Sequence, residues 1–514
     1  MTVAFSVDGR AVKVVDDGAS LLEVLRDRLG IRSPKDGCSP QGQCGCCTVL
    51  VDDTPRVACV TPLRRVAGRR VTTLDGLPDP TRQAWVRAFL DTGASQCGFC
   101  TPGIIVRLAA LEARTGRCDT AAVERALQAH LCRCTGWRSI VEAAQRIGAA
   151  PAPGPRDLDA ATRRATIEGR ARQRVSPDVA CGEGGFADDS APPDALVAVP
   201  DGSGGWVVAE TLHEARAAAG KVQGRRSTVA LRHPLEPPAG PWVRTLRTTW
   251  VEPAYLETDA SWCAPGGEPA DPLANGGAFG GKRHTEVARV ARELADRHGR
   301  AVRVLLARED TVRLGPKRPP IAAGVRADGT GVVRVVRTPG IAERITAVAP
   351  GLVVEEVDVP GPPTSVELRA AGWAEAVALL AAARGAAGPV RSPEGAEAEA
   401  ELGADGSVRV RVRCGRPLDE VVLRSYCIGA AHMALGWVTS EGIAVDAEGV
   451  PHDLTVRSFG ILRAADTPPV DVEVVPCDEE PVNGSDAVFA AVAAAAWAAQ
   501  GFPERWPTGR PVRG

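Results

Sequence analysis

The chain opens on a two-residue period. Val3, Phe5 and Val7 share one face, Asp8-Gly9 is a turn pair, and Val12 and Val14 resume the alternation, which predicts a β-hairpin. Ser20-Leu21-Leu22-Glu23 then has the form of a capping box and starts a helix with Leu21, Leu22, Leu25 and Leu29 as its apolar residues, stopped by Gly30. A cysteine-rich loop and a further strand, Thr48 to Val51, complete a small α+β unit.

From residue 80 the period becomes helical. Trp85, Ala88 and Phe89 define one helix, and Gly103 to Ala113 is a second. Val123, Leu127 and Leu131 define a third, and Trp137, Ile140, Val141, Ala144 and Ile147 a fourth. Residues 80 to 148 are therefore expected to form a four-helix unit. The Pro/Ala segment from Ala149 to Pro155 is the clearest domain boundary. Beyond it, short β-like runs (Val302 to Leu306, Val332 to Val336, Val408 to Val412, Val472 to Val475) mix with alanine-rich helical stretches. Low-complexity sequence around residues 376 to 404 reads as loosely packed or loop-like, and no internal repeat is found.

Composition narrows the function classes. Apolar residues make up 44% and charged residues 24%, as in ordinary globular proteins. The net charge of −2, with no long basic stretch, argues against nucleic acid or an anionic membrane as partner. The N-terminal residues lack the pattern of a signal peptide, and the apolar run Ala487 to Ala499 is shorter than the roughly 20 residues of a membrane helix. The expected compartment is the cytoplasm, where thiols stay reduced. There, fifteen cysteines, ten of them before residue 135, point to metal or redox chemistry.

Two cysteine groups stand out. Cys38, Cys44, Cys47 and Cys59 are spaced C-x5-C-x2-C-x11-C. Three thiols from one tight loop and a fourth further on suit a [2Fe-2S] cluster, whose irons each take two sulfur ligands. The loop's Gly, Ser and Gln residues let the backbone wrap closely and aim N–H groups at sulfur. The extra Cys46 leaves open whether it replaces Cys44 or Cys47, and a zinc site or buried thiol cluster is the alternative reading. In the second group, Cys97, Cys100, Cys132 and Cys134 are spaced C-x2-C-x31-C-x-C. Pro102 suits a first helical turn, so Cys97 and Cys100 are expected at a helix N-terminus, where the dipole favours thiolates. The second pair is expected between a helix ending at Leu131 and one starting at Trp137; the pairs meet only if the helices pack together. Cys118 fits neither group and reads as an inert buried thiol.

The segments Gln96-Cys-Gly-Phe-Cys-Thr-Pro-Gly103 and Leu131-Cys-Arg-Cys-Thr-Gly-Trp137, with Gly42-Gln-Cys-Gly-Cys-Cys-Thr-Val49 before them, resemble the iron–sulfur domains of the xanthine dehydrogenase and aldehyde oxidase family of molybdenum hydroxylases. The resemblance covers residues 1 to 148 and implies a β-grasp, plant-type ferredoxin-like domain (1–76) and a helical second [2Fe-2S] domain (77–148), followed by a linker (149–160). Residues 161–514 resemble the family's molybdopterin-binding subunit in reduced form. There Gly276, Gly277, Phe279, Gly280 and Gly281 match a glycine-rich segment that approaches the molybdopterin cofactor. Tyr255 to Ala260, and Gly429 to Glu441, resemble neighbouring segments in the family's order. The implied fold class is an α+β multidomain protein ending in a reduced α/β region.

Two departures limit what carries over. Roughly 350 residues remain for a catalytic region that is longer in the family. The family's basic glutamate also aligns with Ala490, which cannot take a proton, and Asp486 lies about one helical turn away. The resemblance then implies an electron-transfer subunit with two [2Fe-2S] clusters and no catalytic site of its own. It would work with a molybdopterin-binding catalytic subunit, and with an FAD-binding subunit. No phosphate-cradling glycine loop occurs in residues 149 to 250, so FAD is expected in a partner. A compact self-sufficient hydroxylase and a cluster-carrying scaffold are the alternatives. The substrate is not legible.

Overall fold

A computed structural model describes residues 2–149, 156–221 and 228–511. Half of the expected linker 149–160, residues 150–155, lies outside the described residues, and its last residues already belong to the helix Leu158–Gly169.

The N-terminal alternation folds as a hairpin, Thr2–Val7 against Arg10–Val15, with Phe5 opposite Val12. Asp8 and Gly9 both have positive φ, the geometry of a two-residue hairpin turn. The first strand also runs parallel to Arg70–Thr72, which continues antiparallel to Thr48–Val51 and then Thr54–Val57. Ser20 caps a short helix, Leu21–Glu23, by accepting from the Glu23 N–H at 3.2 Å. Glu23 does not complete the capping box; its carboxylate accepts from the His213 N–H instead, and the helix widens into a π-type turn over Val24–Arg28.

Four helices follow: Asp79–Thr92, Thr101–Thr115, Thr120–Ala126 and Arg138–Gln145. The third is shorter than its apolar spacing predicts. Leu127 is buried in a single 3-10 turn, Leu127–Ala129, and Leu131 in the extended segment beyond, so both serve the core without being helical.

Among the described residues, the remaining chain builds three four-stranded sheets. One pairs Trp206–Ala209, Leu196–Pro200, Val302–Leu305 and Ala260–Cys263. A second pairs Leu352–Val357, Gly331–Val336, Ile321–Val325 and Arg244–Arg247. The third pairs Val390–Arg391, Glu397–Leu402, Val408–Arg413 and Val470–Val474.

The low-complexity stretch is not loose. Trp373–Arg384 is a buried helix and Glu397–Leu402 a sheet strand. Alanine lets backbones approach closely, and Trp373–Arg384, Glu420–Thr439 and Ser485–Ala499 form an alanine-rich helical core. Glu420–Thr439 is long and apolar enough to cross a membrane by composition, yet 89% of its apolar window is buried inside the protein. The cysteine-bearing domains share one apolar core with Trp250, Leu256, Val312, Ile443 and Phe459, so they are built into the C-terminal region rather than tethered to it.

Candidate metal centres and the glycine run

The first cysteine loop is fully enclosed: Cys38, Cys44, Cys47 and Cys59 are all buried. The Cys38 sulfur accepts from the Gln41 and Gln43 N–H groups at 3.3 and 3.4 Å, and the Cys47 sulfur from the Cys59 N–H at 3.4 Å. The sulfurs meet as neighbours, Cys38 with Cys44 and Cys59, and Cys59 with Cys47. Hydrogen bonding from Cys44 and then Cys59 holds the Cys38 thiol well below its ordinary range, with backbone N–H groups of Gln43 and Cys44 adding to it. This environment favours a thiolate.

The second group assembles from the two helix ends. Cys100 is the N-cap of Thr101–Thr115, with Pro102 in the first turn. Cys97 Sγ lies 3.6 Å from Cys134 Sγ, and Cys100 meets Cys132, so each contact takes one cysteine from each pair. The Cys132 thiol is lowered to about 7, first by hydrogen bonding with Cys100 and then, against the cost of burial, by Thr135, whose hydroxyl lies 3.1 Å away. Cys97 is the least buried of the eight.

Among the described residues no three His, Cys, Asp or Glu side chains gather as for a single metal ion. In the second group the thiols meet as two pairs, as two irons with two sulfur ligands each need, and in the first Cys44, Cys38, Cys59 and Cys47 follow one another as a run of four neighbours. The neighbouring, buried sulfurs and the N–H groups aimed at them therefore fit [2Fe-2S] clusters. The two groups also touch through backbone: the Leu131 N–H donates to the Cys44 carbonyl at 2.9 Å.

Sequence reasoning missed three contributors. Arg133, between Cys132 and Cys134, forms a buried bidentate pair with Glu441, both bonds 2.6 Å, and donates from Nε to the Pro253 carbonyl at 3.0 Å. His130 sits between the groups, its Nε2 3.1 Å from Thr48 Oγ1, with its pKa lowered to about 3 by burial and then by the charge of Arg107. Asn275 donates to the Cys97 carbonyl at 2.9 Å. A buried polar residue beside a metal motif is the only local signal for Arg133; the others have none. Cys118 lies outside both groups, its thiol pushed up to about 11 by burial and then by Glu112 and Asp119.

The glycine run reaches the second cysteine group. A Cβ on Gly277 would lie 2.8 Å from Cys97 Cβ, 3.1 Å from Cys97 Sγ and 3.6 Å from Cys134 Sγ. Its neighbours are closed off by the chain itself: Gly276 faces the Gln173 amide, Gly280 the Glu367 carbonyl, and Gly281 the Tyr255 ring. Phe279 lies under the Arg369 guanidinium at 5.0 Å. The cavity between Gly277 and the cysteines holds about 10 Å³, and the next, lined by Arg170, Phe279, Gly280, Glu367, Arg369 and Asp486, about 30 Å³. Both are far smaller than the pockets of roughly 300–1,000 Å³ that hold organic ligands. The larger cavity of about 400 Å³ lies elsewhere, over Val390, Glu397 and Arg411. Ala490 is buried in the apolar core, and Asp486 is held by Arg170 at 2.9 Å and Arg369 at 3.2 Å.

Comparison with known proteins bears on this geometry. Residues 73–145 match the family model for a [2Fe-2S] binding domain. The small FeS subunit of nicotinate dehydrogenase from Eubacterium barkeri is 33% identical over 142 residues, covering 27% of this chain and 90% of that protein. Aldehyde oxidoreductase of Megalodesulfovibrio gigas is 41% identical over 137 residues, covering 25% of this chain but only 15% of that protein. Among solved structures, aldehyde oxidoreductase from Desulfovibrio gigas superposes with a TM-score of 0.67 over 99% of each chain at 15% identity, a likeness of fold alone. The chain is thus a mixed α/β multidomain protein of oxidoreductase type carrying a [2Fe-2S] domain. It belongs to the xanthine dehydrogenase and aldehyde oxidase family of molybdenum hydroxylases.

Proposed function

We propose that this chain is an iron–sulfur electron-transfer component of a molybdenum-hydroxylase-type oxidoreductase. Cys38, Cys44, Cys47 and Cys59 hold one [2Fe-2S] cluster within residues 1–76, and Cys97, Cys100, Cys132 and Cys134 a second within 77–148. Residues 161–514, joined through 149–160, form a molybdopterin-subunit-like region that no longer turns over substrate. The observation that carries the reading is that two sets of neighbouring thiols lie in loops joined by a backbone hydrogen bond, Leu131 N–H to the Cys44 carbonyl. Such contact suits single-electron passage between clusters rather than bond chemistry.

Electrons enter from a molybdopterin-binding partner at the second cluster, whose Cys97 is the least buried ligand, and leave by the first toward an FAD-binding partner. The small cavities at the glycine run support a partner as the seat of molybdopterin. The whole-chain likeness to aldehyde oxidoreductase favours the second reading, a compact self-sufficient hydroxylase. Metal analysis of the purified chain separates the two. Iron and sulfide without molybdenum supports electron transfer, and stoichiometric molybdenum supports the hydroxylase.

A further inference from the structure

The loop of the first cysteine group reaches the surface between Cys38 and Cys44, where Gly42 and Gln43 are only half-buried. A Cβ on Gly42 would meet the Val60 methyls at 3.0 and 3.2 Å, so Val60 lies directly against this stretch. Val60 follows Cys59 in the chain and is 45% exposed, an apolar side chain left in water beside a buried thiol group. On the other side of the loop stands Arg457, which is exposed. Its Nε donates to the Gln43 carbonyl and its Nη2 to the Gln128 carbonyl, both at 3.0 Å, and no carboxylate among the described residues pairs with it.

The chain that flanks Val60 is basic. Thr54 to Leu74 holds five arginines and no Asp or Glu. Arg69 and Arg70 are matched by Asp52 and Asp53, at 3.8 and 2.5 Å. Arg56, Arg64 and Arg65 are exposed and make no ion pair among the described residues. Arg56 lies on Thr54–Val57, an edge strand of its sheet, and Arg64 and Arg65 on the 3-10 turn Leu63–Val66. The whole chain has a net charge of −2, so this excess of positive charge is local. Unpaired arginines around an exposed apolar residue suit a protein interface with a charged rim. A nucleic acid would call for a longer basic stripe.

We propose that Val60 with its flanking Arg56, Arg64 and Arg65, and Arg457 across Gly42, is the docking face for a one-electron acceptor protein with an acidic surface. This rests on the reading that electrons leave by the first cluster. In the docked pair one electron passes from the reduced cluster, whose ferrous iron becomes ferric, to the acceptor, and no bond is made or broken. Charge attraction speeds the encounter, and salt screens it over about 10 Å at 0.1 M and about 3 Å at 1 M.

The test is stopped-flow oxidation of the reduced full chain by two ferric haem proteins, acidic cytochrome b5 and basic cytochrome c. The rate with cytochrome b5 is expected to fall about tenfold or more between low and high salt, and the rate with cytochrome c not to fall. Arg64→Gln with Arg65→Gln should slow cytochrome b5 severalfold at low salt and match the unmodified chain at high salt. Arg384→Gln with Arg409→Gln removes as much charge from exposed positions in the C-terminal region and should behave as the unmodified chain. A salt-independent rate with cytochrome b5, equal low-salt rates in the two double variants, or slowness that persists at high salt would overturn the inference. Duplex DNA that blocks the cytochrome b5 reaction at high salt would also overturn it, assigning the basic face to nucleic acid. A chain with no reducible cluster fails the proposed function first, so the two failures are distinguishable.

Discussion

Replacing Gly277 by alanine tests the link between the glycine run and the second cysteine group. Gly277 has φ +80°, a conformation that costs a residue with a Cβ about 1–2 kcal/mol. The added carbon would lie 2.8 Å from Cys97 Cβ and 3.1 Å from its sulfur, closer than packed carbons come, so Cys97 must move. Overpacking of this kind costs about 1–3 kcal/mol, giving roughly 2–5 kcal/mol together. Gly385 is the control, because its φ of +74° imposes the same strain while its Cβ would meet nothing within 4 Å. The assay is urea-induced loss of visible cluster absorbance, with EPR of the reduced protein. Gly277→Ala should alter or remove the second-cluster signal, keep the first, and release iron at lower urea than Gly385→Ala. An unaltered second signal with stability equal to that of Gly385→Ala would refute the contact.

Other substitutions probe different parts of the account. Arg133→Met or Glu441→Leu alone should each destabilise by about 3–5 kcal/mol, since each leaves a buried charge unpaired. The double variant should cost less than the sum, so additive urea midpoints would contradict the pairing. His432 is buried, and its pKa is lowered to about 4 by burial and then by the charge of Arg133. Its folded pKa lies below the unfolded value, so the stability it contributes is full above about pH 6.5 and is lost as pH falls toward 4, about 3 kcal/mol in all. His432→Gln should lack that part of the acid dependence, and identical urea midpoints against pH for both proteins would contradict it. Cys118, pushed up to about 11, should alkylate at pH 8 roughly a hundredfold more slowly than an ordinary thiol, as mass spectrometry would show; rapid labelling would contradict its placement.

Local features were legible in the sequence and distant contacts were not. The hairpin follows from strict alternation about Asp8-Gly9, and the helix at Thr101 from Pro102 and the apolar spacing after it. Leu127 and Leu131 misled because a buried apolar residue needs a core, not a helix. The stretch around residues 376 to 404 misled for the opposite reason: a helix buried on nearly every side shows no polar face and so no period. The cysteine spacings mark candidate ligands, but the sequence could not show that Cys97 meets Cys134 and Cys100 meets Cys132. Arg133 and Glu441 are 308 positions apart, and Gly277 lies 180 positions from Cys97, so nothing local announces either contact. The glycine run is legible as a close approach; its proximity to the second cysteine group comes only from the folded chain.

The most direct test of the central claim is metal and sulfide content of the purified full chain, with low-temperature EPR after reduction. Four irons and four sulfides per chain, two distinct [2Fe-2S] signals and no molybdenum are expected. Stoichiometric molybdenum would mean that the region around Gly276 to Gly281 opens to hold the cofactor, and zinc in place of iron would contradict the electron-transfer function itself.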